Sequence, residues 1–178
     1  MKTQQLVTIG KESQNAVINA ALESIDLTQW FFTLKDEEYR ACSSGHNGMV
    51  QGRLPDGKRA SVSVETIGGN FIVNNYIEEV SCRDQVRGVS DSVVKIGGPN
   101  SVYTLMTKTT WELKVATVSP QSCMLTCSVT VQTADPGIVA MFQNNPKRAN
   151  DPLQKHVIEE TPHFAADIEK KARNGIFA

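Results

Sequence analysis

The sequence DPLQKHVIEETPHFAADIEKKARNG, residues 151–175, predicts the helix around which the rest of the chain is arranged. Asp151 and Pro152 suit the start of a helix, because an Asp side chain caps free amides and a proline needs no amide partner in the first turn. The cations Lys170, Lys171 and Arg173 suit the carboxyl terminus of a helix, and Asn174-Gly175 is expected to end the helix. The spacing predicts one long helix with an apolar stripe. That stripe comprises Leu153, Val157, Phe164 and Ile168.

The chain before this helix predicts an antiparallel sheet, because short alternating runs are separated by turn signals. Pro55-Asp56-Gly57 joins two such runs as a hairpin, and Ile67-Gly68-Gly69-Asn70 marks another turn. Further signals at Gly97-Gly98-Pro99-Asn100 and Ser119-Pro120-Gln121 divide the remainder. We therefore expect about six strands in meander order, followed by a connection over residues 134–150 that can hold one turn of helix.

The amino-terminal part predicts helices. Residues 13–25 place Ala16, Val17, Ala20 and Ala21 at helical spacing, with Ser13 as a cap. Two short helices are expected after Asp26 and Asp36. A single antiparallel sheet has one face to bury, and the long terminal helix is its cover. The sequence thus predicts one α+β domain over residues 1–178 of helix-grip type: a curved sheet around a long helix, with short helices closing one end of an internal cavity.

Composition narrows the function classes. The 178 residues carry 18 Lys and Arg against 19 Asp and Glu, a net charge of −1 that argues against nucleic acid as a partner. The longest apolar run is too short to span a bilayer, and the first residues lack the apolar segment of a secretory signal. We therefore expect a cytoplasmic protein whose four cysteines are reduced thiols.

The long helix also carries a candidate metal-binding pair. His156 and Glu160 are four residues apart, on neighbouring turns at the margin of the apolar stripe, and imidazole with carboxylate is ordinary metal-ligand chemistry. A solvated polar edge is the alternative interpretation, since His163 lies on the same side of the helix. Pro162 removes one helical amide, which predicts a kink or restart at Thr161-Pro162.

Two other segments carry candidate ligands. His46 lies at the junction between the short helices and the first confident strand, where an imidazole can face a cavity or solvent. Glu78 and Glu79 are adjacent in a predicted strand, so one of them faces inward. A buried carboxylate needs a compensating cation, which a metal, an arginine or a surface position would supply.

Together these residues resemble a known family. Trp30-Phe31-Phe32 with Glu38-Tyr39-Arg40 and Gly45-His46, the strand Tyr76-Ile77-Glu78-Glu79, and His156-Val157-Ile158-Glu159-Glu160 with Phe164-Ala165 look like the core of 2,4-diacetylphloroglucinol hydrolase and phloretin hydrolase. These belong to the START/Bet v1-like superfamily of helix-grip proteins. They are zinc enzymes that hydrolyse a carbon–carbon bond between a phenolic ring and an acyl group.

The resemblance implies specific roles. The zinc ligands would be His46, Glu78, His156 and Glu160, with Glu79 as an alternative to Glu78. Zinc lowers the pKa of bound water and polarises a carbonyl. Tyr76 or His163 would then orient the phenol or deliver a proton to the leaving ring.

Two other functions compete with this zinc hydrolase. The first is a metal-free carrier that encloses a hydrophobic or aromatic molecule, or a lipid, in its cavity. The second is a polyketide cyclase that uses acids of the pocket. A homodimer is a further possibility, because the tail at residues 175–178 contains two apolar side chains that could dock on a second copy.

Overall fold

The computed structural model describes residues 5–145 and 147–177, with the backbone alone at 147–150. Within these residues, seven strands form one antiparallel sheet in the order β1-β7-β6-β5-β4-β3-β2. The strands are β1 Val7–Ile18, β2 His46–Arg53, β3 Arg59–Ile67, β4 Asn70–Ser81, β5 Gln85–Lys95, β6 Thr104–Ser119 and β7 Ser122–Thr133. The helices are α1 Leu27–Thr33, α2 Asp36–Arg40, α3 Pro136–Asn144 and α4 Lys147–Arg173.

The sheet and α4 form the predicted α+β helix-grip arrangement. Strands β2 to β7 follow one another as a meander, and β1 pairs with β7 at the far edge. The apolar stripe of α4 is buried, with Val157, Phe164 and Ile168 at 0–1% exposure. Trp30 and Phe31 of α1 add a buried aromatic layer beneath one end of the sheet. The predicted fold class is therefore confirmed.

The helix predicted over residues 13–25 is wrong. Residues up to Ile18 belong to β1, where Ala16 lies opposite Leu125 and Ile18 opposite Cys123. Val17 is 51% exposed whereas Ile18 is fully buried, which is the period-two pattern of a strand. Pairing with β7 satisfies the backbone hydrogen-bonding groups of both strands. This tertiary interaction outweighs the weak helical spacing of the alanines. The connection at residues 134–150 also holds more than one turn, because α3 has nine residues.

Helix α4 differs from its predicted form at two points. It begins at Lys147, before Asp151, and it continues through Pro162 without a restart. The Thr161 hydroxyl donates to the carbonyl of Val157. Ile158, whose carbonyl loses its usual amide partner to the proline, is 49% exposed, so that carbonyl lies on the solvent side of the helix. The proline is tolerated because the missing bond falls where water can replace it.

The carboxyl-terminal tail folds back onto the domain. Gly175 has a φ of +68°, the left-handed conformation that ends many helices. Phe177 is then 3% exposed in the core, while Ile176 remains 52% exposed. All four cysteines are free thiols. In the part of the chain described, no helix is both long and apolar enough to cross a bilayer.

Candidate functional site

A cavity of about 280 Å³ lies between the concave face of the sheet, α3 and the first half of α4. Its lining divides by chemistry. Apolar side chains form most of the wall, including Ile72, Val94, Leu105, Val131, Met141 and Phe142. Five polar side chains form a group at one end, namely Tyr39, Glu65, Asn74, His156 and Glu160, and Asn70, Thr107 and Thr109 are further polar residues of the lining. The cavity therefore suits a mostly apolar molecule with polar groups at one end.

Three side chains converge at this polar end, from different parts of the sequence. Nε2 of His46 lies 3.2 Å from Oε2 of Glu160, and Nε2 of His156 lies 3.3 Å from the same oxygen. One potential ligand atom from each residue falls within 4.8 Å of the others. All three side chains are buried. We call this group the His-His-Glu cluster. It consists of one residue from β2 and two from α4.

Hydrogen bonds to Nδ1 fix both imidazoles with Nε2 toward Glu160. Nδ1 of His46 lies 2.7 Å from the carbonyl of Tyr39, which can only accept, so this nitrogen carries the hydrogen. Nδ1 of His156 contacts the Ser43 hydroxyl at 3.2 Å, and that hydroxyl donates to Glu159. The Ser43 oxygen must then accept from His156. In neutral rings both Nε2 atoms therefore present lone pairs toward Glu160, and this contact requires a proton or a cation between them.

The electrostatics of the cluster follow from burial and charge. Burial alone would raise the pKa of Glu160, but the charge of His156 and hydrogen bonds from both imidazoles hold it at about 2. Burial would lower the pKa of His156, and the Glu160 carboxylate raises it to about 9. The cluster is therefore a strongly attractive site for positive charge, carried by protons or by a metal ion.

The predicted strand ligands lie elsewhere. Glu78 forms an ion pair with Arg59, with 2.6 Å between Oε1 and Nη2, and this bond lowers the pKa of the carboxyl to about 2. Glu79 is about half exposed and bonds Arg87. Glu78 shares a strand face with Tyr76, but it lies nearer the strand end, where Arg59 from β3 compensates its charge. The prediction that Glu78 or Glu79 joins the histidines is therefore wrong.

The buried acid of the sheet is instead Glu65, which the sequence analysis missed. It is 8% exposed on β3, where its backbone pairs with that of His46 on β2. In this strand Ser61, Ser63 and Glu65 face inward, while Val62 and Val64 face outward. The alternation of polar and apolar residues is visible in the sequence. Because apolar residues are usually assigned to the core, it predicts that the valines face inward, which is the opposite of what the structure shows.

The two candidate acids lie in different surroundings. Tyr76 is 3% exposed, lines the cavity and packs against Trp111. Burial raises the pKa of Tyr76 well above its usual value, so its hydroxyl stays protonated. His163 is exposed on α4, seven residues and about 10 Å along the axis from His156. Its predicted place in the site is wrong, because the helix turns buried Phe164 rather than His163 toward the interior.

Comparison with solved structures identifies the architecture. A Streptomyces aromatase/cyclase, Zhui, has a TM-score of 0.61 at 10% identity, covering 95% of this chain and 97% of that one. The fold is the START/Bet v1-like helix-grip fold. A START superfamily protein from Mycobacterium smegmatis has a TM-score of 0.54 at 16% identity, covering 92% and 97% of the two chains. Human STARD10 has a TM-score of 0.51 at 11% identity, covering 93% and 67%.

These likenesses concern the fold alone, because the identities are low. No protein-family model matches the sequence, and no curated protein matches it. The narrower resemblance to phloroglucinol and phloretin hydrolases finds no support in these comparisons. The solved helix-grip neighbours include aromatase/cyclases, so the fold accommodates that class of protein.

Proposed function

We propose that this helix-grip protein binds a small aromatic, polyketide-like molecule in its internal cavity, as a carrier or as a cyclase-like enzyme. The observation that carries this proposal is the cavity itself, apolar along its wall and polar at one end. An engineered cavity of about 150 Å³ accepts benzene, so a cavity of about 280 Å³ suits one or two fused rings better than a sterol.

The lining favours an aromatic occupant. Trp111 and Tyr76 lie side by side at the cavity, with ring centroids 5.6 Å apart, and Thr107 and Thr109 of β6 add hydroxyl groups. Rings of this kind pack edge-to-face or offset against an aromatic ligand. Two further neighbours of the fold are di-domain aromatase/cyclases, which is consistent with a polyketide-like ligand.

A matched pair of variants on β6 tests the binding site. Leu105 lines the cavity, whereas the next residue, Met106, is 57% exposed on the outer face of the sheet. We expect 2-naphthol to bind the wild-type protein and Met106→Trp with the same affinity, measured by fluorescence titration. Leu105→Trp fills the cavity and should reduce that affinity at least tenfold. Equal binding by all three proteins would place the ligand outside the cavity and overturn the proposal.

A second candidate function is the zinc-dependent hydrolysis that the sequence predicts. The observation in its favour is the His-His-Glu cluster, because two neutral imidazoles aimed at one carboxylate match the donors of a catalytic zinc site. His46, His156 and Glu160 would hold the ion, and the Tyr39 carbonyl and Ser43 hydroxyl would orient the two rings. Bound zinc would supply an activated water and a Lewis acid beside the cavity.

Metal analysis separates the two functions. Zinc at about one equivalent in purified wild-type protein, lost in His156→Ala and retained in His163→Ala, would favour the hydrolase. His163 is the matched control, because it lies on the same helix but at the surface. Failure of added zinc to bind the wild-type protein would reject the hydrolase and leave the carrier or cyclase.

A further inference from the structure

Glu65 is a buried carboxylate that the His-His-Glu cluster does not include. Its Oε1 accepts hydrogen bonds from the Tyr39 hydroxyl, from Ser63 Oγ at 2.8 Å and from Asn74 Nδ2 at 3.1 Å. The residue is only 8% exposed and forms part of the cavity lining. Three donors on a single oxygen fix the plane and rotation of the carboxyl group, so its other oxygen has a defined direction.

That second oxygen, Oε2, lacks a donor among the residues that the structure describes. Once a ligand displaces water from beside a carboxylate oxygen, that oxygen needs a donor from the ligand, because an unpaired buried acceptor is costly. Oε2 is not among the fully enclosed, unbonded side-chain atoms of the described chain, which are in Gln51, Ser61 and Trp111. It therefore reaches open space, and the space that Glu65 borders is the cavity.

We propose that Glu65 is the specificity-determining residue of the cavity, and that its Oε2 accepts a hydrogen bond from a hydroxyl group on the ring of the ligand. This inference rests on the proposed aromatic ligand and adds a requirement, since the ligand must carry a donor at the polar end. A ring that carries only acceptors there would leave the oxygen unpaired.

Hydrogen bonds among side chains on the inner face of the sheet hold Glu65 in position. Asn74, which donates to Glu65, accepts in turn from Ser92 Oγ at 2.7 Å, and Ser92 contacts Thr109 Oγ1 at 3.0 Å. A chain of hydrogen bonds thus runs across β3, β4, β5 and β6 and ends at Glu65. These groups use their own donors and acceptors within the chain, which leaves Oε2 of Glu65 as the acceptor for the ligand.

A pair of ligands measures the donor requirement without any variant. We expect the wild-type protein to bind 2-naphthol about tenfold or more tightly than 2-methoxynaphthalene, because the methyl ether keeps the rings and removes the donor. Equal affinities would overturn the role of Glu65 while leaving the cavity proposal intact. Binding of neither compound would reject the cavity proposal, and this inference with it.

The variant Glu65→Gln then assigns the preference to this residue. The three donors should hold the amide oxygen in the place of Oε1, so the amide nitrogen takes the place of Oε2 and presents a donor. We expect the preference for 2-naphthol over the methyl ether to fall at least tenfold or to invert. A merely structural role of Glu65 would instead weaken the binding of both ligands alike. Glu79→Gln, on the outside of β4, is the matched control and should keep the wild-type preference. An undiminished preference in folded Glu65→Gln would contradict the inference.

Discussion

Replacing Glu160 with glutamine removes the negative charge that both buried histidines contact. Burial lowers the pKa of His156, but nearby carboxylates, Glu160 foremost, raise it from 6.5 to about 9. At about 1.4 kcal/mol per pH unit, this corresponds to about 3 kcal/mol of folding free energy. Breaking a buried ion pair by removing one partner costs about 3–5 kcal/mol in other proteins. We therefore expect metal-free Glu160→Gln to be about 3 kcal/mol less stable than the wild type at slightly acidic pH.

The expected loss depends on pH in a defined direction. Because the pKa of His156 is raised on folding, its contribution is fully present below about 6.5 and is lost as the pH rises through about 9. The difference between wild type and Glu160→Gln should therefore be largest near pH 6 and small near pH 10. Urea unfolding in the presence of a chelator, monitored by circular dichroism, measures the free energy of unfolding of both proteins at each pH.

A neighbouring glutamate provides the control. Glu159 is exposed and bonds Ser43 and the backbone of Ser44, so Glu159→Gln leaves the buried pair intact. We expect it to cost about 1 kcal/mol or less, with a much smaller pH dependence than Glu160→Gln, because the Glu159 charge contributes less than Glu160 to the raised pKa of His156. An equal loss from both substitutions, or a Glu160→Gln loss that is the same near pH 6 and pH 10, would refute this assignment of the charges.

Three further experiments test other properties of the structure. In zinc titrations followed by calorimetry, Glu160→Gln should weaken binding far more than Glu159→Gln, and equal losses would reject the proposed ligand. Glu78→Gln should abolish the stability gained between about pH 2 and 4.5, where the ion pair with Arg59 forms, without changing 2-naphthol affinity. Gly68→Ala should lower the thermal midpoint, because φ is +57° and the new Cβ would lie 2.7 Å from Pro152; an unchanged midpoint would contradict that contact.

The long helix and the hairpins were predictable because their signals are local. The stripe of α4 repeats at helical spacing, and Pro55-Asp56-Gly57 specifies a turn between alternating segments. The strand β1 was not predictable in this way, since its partner β7 lies more than 100 residues away in the sequence. Without that partner, the alanines at 16, 20 and 21 fit a helix equally well.

The residues of the candidate site also differ in whether local sequence or tertiary packing brings them together. His156 and Glu160 were found because four residues along one helix bring them together in any fold. The place of His46 depends on the contact between the first residue of β2 and α4, which the resemblance implied and the residues alone did not. Glu65 was missed because its strand turns serines inward and valines outward. Only the cavity on the inner face explains that reversal, and a single sequence does not display the cavity.

The two tryptophans of the chain report directly on whether the internal cavity binds a small aromatic ligand. Trp111 lines the cavity, whereas the Trp30 indole donates to Asp167, 2.8 Å away on α4. Binding in the cavity predicts that 2-naphthol shifts the indole N–H signal of Trp111 in a ¹H–¹⁵N spectrum much more than that of Trp30. Unmoved indole signals at a saturating ligand concentration, or a larger shift at Trp30, would contradict it.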